Sequence, residues 1–285
     1  MTTAEVIMLS IKISIALTVL AVGLRATAAD AVYLFRRPML LARALLSMHA
    51  IMLAVAIAFV ALLDLHPAVE TALLALALSP VPPLFPGKVV RAGEAQRYAV
   101  ALMAALAALS IVVVPVGLAV LQRTFDVAVV ASAMAVAQIV LTSVLIPLIV
   151  GIAVRSVAPS LAGRLAKIFA PAGAILLVVA ALPILVTRAS EMLALIGDGT
   201  LAALATFTGV GLVAGHWVGG PDVNERVLLA LSTSSRHPAV AISIAHANYP
   251  DEAQILAAVL LFLVVSAVVG AIYVSWIKRY RPQLA

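Results

Sequence analysis

Leu228-Leu229-Ala230-Leu231-Ser232-Thr233-Ser234-Ser235-Arg236-His237-Pro238-Ala239-Val240-Ala241 is an apolar helix interrupted by its own residues. The run that contains it, 226–249, is long enough for one bilayer crossing, which takes about 20 residues. Its middle is polar and ends in a proline, which has no N–H to continue a helix. A second run, 68–96, is broken by Ser79-Pro80-Val81-Pro82-Pro83-Leu84-Phe85-Pro86-Gly87. Prolines at 80, 82, 83 and 86 do not fit one straight helix. Unpaired backbone groups are costly in hydrocarbon, so such breaks persist only where protein or a cavity surrounds them. Half-helix ends carry partial charges to the midplane, where they hold ions or anionic groups. Two breaks that face each other therefore make a binding site.

The rest of the chain places these breaks in a membrane. Of 285 residues, 65% are hydrophobic and 11% charged, far from the balance of a soluble domain. There is no cysteine, which removes disulfides, thiolate metal sites and cysteine catalysis. The five histidines show no metal-ligand spacing. Clear apolar spans run 5–24, 39–63, 97–121, 127–154, 170–188, 200–219 and 252–277. With the two broken runs crossing once each, the expectation is an all-α membrane protein of about nine transmembrane helices. The basic residues flank apolar runs, so the net charge of +6 reflects topology and not nucleic acid.

Charge sets the orientation. With the N-terminus outside, the inside segments hold Arg25, Arg36, Arg37, Arg43, Lys88, Arg91, Arg97, Arg155, Arg164, Lys167, Arg226, Lys278, Arg279 and Arg281. The outside segments hold Arg123 and Arg188, while Lys12 and Arg236 fall within spans. That asymmetry is the positive-inside pattern. It predicts a multi-pass protein of a bacterial inner membrane, N-terminus outside and C-terminus cytoplasmic. No first-run cleavage site is evident. Residues 1–285 read as a single transmembrane domain.

Leu73-Leu74-Ala75-Leu76-Ala77-Leu78-Ser79-Pro80 before the first break resembles Leu228-Leu229-Ala230-Leu231-Ser232-Thr233 before the second. Each break is next to last in its half, and the two enter from opposite sides. This predicts two inverted-topology repeats, residues 1–121 with four spans and 127–285 with five.

The order of spans, the two breaks, and the stretch from Leu231 to Ala241 followed by Ile244-Ala245-His246-Ala247 resemble the bile acid:sodium symporter family. The resemblance implies inverted five-helix repeats whose broken helices cross at substrate and sodium sites, with the family's first helix lacking here. It also exposes departures. Ser232 stands at the position of a family Glu, and Arg236 and His237 stand for a Gln-Asn pair. Pro80-Val81-Pro82-Pro83-Leu84-Phe85-Pro86-Gly87-Lys88 replaces a Pro-Gly-Gly-Thr-type stretch. Met103 to Leu109 is apolar, with Ser110 after it, where relatives offer hydroxyls. No cofactor is expected: sodium remains possible, but most of its ligands are missing.

An ionisable residue deep in a membrane is by default functional. Arg236 is the clearest case. Its guanidinium is read as standing where a sodium ion sits in relatives, as pairing a substrate carboxylate or sulfonate, or as both. The candidate substrate and ion site is Ser79, Pro80, Lys88, Gln138, Ser232, Thr233, Ser235, Arg236 and His237. His237 is also a candidate proton carrier, and Lys88 could equally snorkel to the interface. Gln138, Thr142 and Ser143 lie mid-span. His49, His216 and His246 read as structural or interfacial, and Gly209, Gly211 and Gly215 as packing residues. The expected function is a secondary transporter or facilitator of a small organic anion, with weakened or absent sodium coupling. The alternatives are a sodium- or proton-coupled symporter of another organic acid, or a channel or scaffold. An enzyme is not expected, because no base, nucleophile and carboxylate converge. The expected partners are the anion and the lipid bilayer.

Overall fold

Capping and proline chemistry mark where the helices begin and end. In the computed structural model, residues 3–80, 94–125, 133–197, 199–248 and 253–280 are described, and every regular element among them is helical. α1 (Thr3–Gly23) is followed by a single capped turn, α2 (Ala28–Ala31), whose Thr27 and Asp30 form a capping box. The next span, Pro38–Leu62, is α3 (Pro38–Leu45), a π-turn (Leu46–Ile51) and α4 (Met52–Leu62) in one rod. α5 (Pro67–Leu78) starts on a His66 cap and stops at extended Ser79, before Pro80. α6 (Glu94–Phe125) completes the first half.

The second half begins with α7 (Ala133–Val140), a π-turn (Leu141–Leu145) and α8 (Ile146–Val157). Pro147 lies just past this π-turn. It has no N–H for the Ser143 carbonyl, so the helix widens ahead of it. No proline accounts for the π-turn at Leu46–Ile51. α9 (Pro159–Thr187) and the short α10 (Ala189–Ala194) follow. The sequence reading starts that span at 170. The helix begins at Pro159 instead, because proline suits a first helical turn and residues 160–169 offer no breaker. α11 (Thr200–Val218), α12 (Val223–Ser234), α13 (Pro238–Asn248) and α14 (Ala253–Tyr280) complete the order.

Six of these helices are long and apolar enough to cross a bilayer, and Leu9–Gly23 and Pro67–Leu78 are shorter apolar helices. Their outer faces confirm the solvent. On α9, Ile175, Val178 and Leu182 are each more than half exposed. Water would make such a stripe prohibitive, whereas lipid tails accept it. The chain is a multi-pass membrane protein.

Small residues set the helix spacing. α1 lies against α8 and α9. A Cβ on Gly151 would meet the Leu20 carbonyl at 2.6 Å, and Ser14 Oγ donates to the Gly173 carbonyl at 2.7 Å. α11 lies on α12, where a Cβ on Gly211 would stand 3.0 Å from Ser234 Cα and one on Gly215 would run into the Ala230 backbone. Gly209 faces open space, so only two of the three expected packing glycines pack. The main apolar core joins α5, α6, α13 and α14, with Phe207 edge-on to Phe59 and Phe262.

Loops that carry positive charge gather at one end of the molecule. Arg97 Nε pairs with Asp30 at 2.9 Å, Tyr33 bonds Glu225 at 3.4 Å, and Arg25 bonds the Ala166 carbonyl at 3.2 Å. Tyr33 lies between the Arg37 and Arg97 guanidinium groups, 4.6 and 5.7 Å from its ring centre. Burial opposes ionisation of Asp30, but hydrogen bonds from Thr27 and the Arg97 charge outweigh it and hold this carboxyl below its ordinary value.

Candidate functional site

The two breaks meet. The His237 N–H donates to the Pro80 carbonyl at 3.0 Å, so the second break is tied to the first through the backbone. Arg236 Nη1 points at the Ser79 carbonyl, 3.4 Å away. Each break follows from its local sequence. The α5 end turns out at Ser79, whose hydroxyl folds back onto the Leu76 carbonyl at 2.8 Å. The α12 end turns out at Ser235, and α13 restarts at Pro238 with the Ala241 N–H on the His237 carbonyl.

Dipoles explain why an arginine is tolerated here. The C-terminal ends of α5 and α12 carry partial negative charge, and the N-terminal end of α13 carries partial positive charge. Arg236 follows the α12 end and faces the α5 end. The Pro80 carbonyl, just beyond α5, receives the first N–H of the α13 cap. A fixed cation therefore sits among carbonyls at two half-helix C-termini.

Arg236 is 1% exposed and is the largest fully buried side chain among the described residues. Its Nε and Nη2 have no hydrogen-bond partner among the described residues, nor does His237 Nδ1. Leaving buried polar groups unpaired costs about 1–3 kcal/mol each, more for charged ones. Donors left in this way at a crossing point call for an acceptor, whether water, an ion or a ligand.

Both π-turns face this crossing. Ser47, on the first, shares a 2.8 Å hydrogen bond with Thr233. Ser143, on the second, lies 3.5 Å from His237 Nε2. His49, also on the first π-turn, is 7% exposed, and neither ring nitrogen has a partner among the described residues. Sequence reading treated His49 as structural and overlooked Ser47. The available signal was a Ser-Met-His triplet in the middle of an otherwise apolar span.

The remaining expected site residues divide. Ser79, Pro80, Thr233, Arg236 and His237 come together. Ser232 is buried, but its hydroxyl is committed to the Leu228 carbonyl at 2.7 Å. Ser235 is half-buried at the turn, and Gln138 is exposed on α7. Thr142 bonds the Gln138 carbonyl of its own helix. Lys88 lies outside the described residues, as do Pro82, Pro83 and Pro86.

A family profile described as the sodium bile acid symporter family matches residues 12–195. The chain belongs to the sodium bile acid symporter family. The match runs from α1 to α10, and the second break lies beyond it. Among curated proteins none matches the chain. The family carries the expectation of sodium, and at the crossing this member places a guanidinium 3.4 Å from the Ser79 carbonyl. No three His, Asp or Glu side chains converge among the described residues. Sodium takes oxygen cages and is repelled by a fixed cation at close range.

The Ser47–Thr233 contact gives a local test. Interhelical hydrogen bonds in membranes average about 0.6 kcal/mol. Ser47→Ala and Thr233→Val each lower the thermal midpoint in detergent, and the double variant falls no further than the worse single. Fully additive losses would show that the two hydroxyls are not coupled.

Proposed function

We propose that this chain is a secondary transporter or facilitator of a small organic anion that works by alternating access with weakened or absent sodium coupling. Membership of a symporter family supports transport as the class. The observation that carries the anion is Arg236, buried where the two breaks meet with two of its three nitrogens unpaired among the described residues. A planar fork with free donors suits a carboxylate or a sulfonate. Its charge also answers the half-helix carbonyls that would otherwise take a metal cation. The Ser79 carbonyl engages one nitrogen of that fork, and the His237 N–H on the Pro80 carbonyl ties the two breaks together beside it.

The same reading takes nine crossings in two inverted repeats, 1–121 and 127–285, with the N-terminus outside a bacterial inner membrane. The gathering of Arg25, Arg37 and Arg97 at one end of the molecule supports that sidedness. Alternating access then consists of the two breaks being exposed to one side or the other while Arg236 stays fixed between them.

Counterflow in proteoliposomes tests this. Vesicles preloaded with unlabelled benzoate or p-toluenesulfonate take up the same labelled anion faster than unloaded vesicles. A channel gives no such acceleration, because both directions are open at once. Absence of trans-stimulated uptake for both probes would reject the proposal.

A further inference from the structure

His49 is the only titratable side chain of the span Pro38–Leu62 besides Arg43. Nothing in the anion-binding role of Arg236 uses it. We propose that His49 carries a proton coupled to the anion, so that one proton crosses with each monoanion held at Arg236. This deepens the anion-transport reading and rests on it.

Three observations point there. First, His49 is buried with both ring nitrogens unpartnered. A neutral imidazole needs one donor and one acceptor contact, and a protonated one needs two acceptors. An oxygen-bearing anion supplies acceptors. Second, the segment that carries His49 touches the site: Ser47, on the same π-turn, is bonded to Thr233 at the α12 end. A π-turn inside a span frequently marks a functional position. Third, Arg236 is buried as well, three residues after the Thr233 that this π-turn touches.

The coupling follows from charge alone. With the site empty, a proton on His49 and the Arg236 guanidinium would be two like charges in one low-dielectric interior, and they repel. A monoanion on Arg236 cancels that repulsion and offers His49 an acceptor. Anion binding therefore favours proton binding, and by reciprocity the proton favours the anion to the same degree. The bound pair adds no net charge to the carrier, so the loaded and empty forms both reorient with the same fixed charge.

Other titratable groups on elements packed around the π-turn lie towards the helix ends. Arg43 is on α3, six residues before His49. Glu70 is in the first turn of α5 and His216 in the last turn of α11. His216 is bonded to Tyr273 at 2.6 Å. Glu225 and Arg226 are at the start of α12, and Glu225 is engaged with Tyr33 and Arg37. His237, in the second break, bonds Ser143 on its far ring nitrogen.

The test uses sodium-free proteoliposomes of the full chain with a trapped pH dye and labelled p-toluenesulfonate. This sulfonate does not cross a bilayer as the neutral acid, so proton entry reports the carrier. The expected ratio is about one proton per sulfonate, independent of an imposed membrane potential. An inward pH gradient of about 1.5 units then accumulates the anion about thirtyfold. In His49→Gln the ratio falls to zero and residual uptake follows the potential; because the readout is a ratio, a slower variant does not obscure it. Should that variant fail to incorporate, His49→Asn decides, with the ratio again at zero. Sulfonate counterflow without proton entry in the wild type, or proton entry that survives in the His49 variant that incorporates, would overturn the inference. Absence of any counterflow instead overturns the anion reading beneath it.

Discussion

Arg236→Ala vesicles are expected to show no trans-stimulated uptake of benzoate or p-toluenesulfonate above protein-free vesicles. The guanidinium is the only buried cation among the described residues at the crossing, and removing it takes away both the anion's partner and the charge that answers the Ser79 carbonyl. Breaking a buried charged pair costs about 3–5 kcal/mol. On that scale the apparent affinity falls by at least about a hundredfold. Arg236→Lys separates the two duties of the side chain. It restores the charge without the fork, so it recovers part of the folded protein's stability and little of the transport. Size-exclusion chromatography in detergent guards against a folding defect. Alanine variants that elute as a single symmetric peak and still exchange both anions would remove Arg236 from the mechanism.

Gly215→Leu produces the largest structural loss. At that position α11 presses against the Ala230 backbone of α12, and backbone cannot rotate away as a side chain can. Overpacking a tight contact costs about 1–3 kcal/mol and more where nothing yields. The damage passes along α12 to the second break, because Gly211 touches Ser234 only two residues before Arg236. The variant is expected to aggregate or to elute as a broad peak, with transport lost. Gly209→Leu is the matched control. It lies on the same helix but faces open space, so its thermal midpoint stays near that of the parent. Equal behaviour of the two variants would show that the α11–α12 contact does not position the break.

Six long apolar spans were legible in the sequence because burying about 20 apolar residues in lipid leaves little choice of structure. Span ends were less so. The start of α9 was placed at 170 rather than Pro159, since Arg164 and Lys167 read as loop residues although a helix carries them at the interface as readily. Both breaks could be seen from Ser79-Pro80 and from Ser234 to Pro238. That these breaks meet each other is a fact of packing, carried by one N–H on one carbonyl between His237 and Pro80. Periodicity has no means of pairing residues so far apart in the chain. The π-turns were invisible for a related reason: only the one before Pro147 has a local cause, while nothing local accounts for the one that carries Ser47 and His49. Arg236 stood out because lipid makes any buried charge conspicuous. His49 did not, because a neutral imidazole among apolar residues looks the same whether it packs or works.

The central claim is that a tethered guanidinium does the work of a metal cation at the crossing. The most direct measurement is the initial rate of p-toluenesulfonate counterflow at fixed pH, first in sodium chloride and then with all sodium replaced by N-methylglucamine. The account predicts equal rates in the two media. A rate that drops to the protein-free background without sodium, and returns as sodium is titrated back, would contradict it.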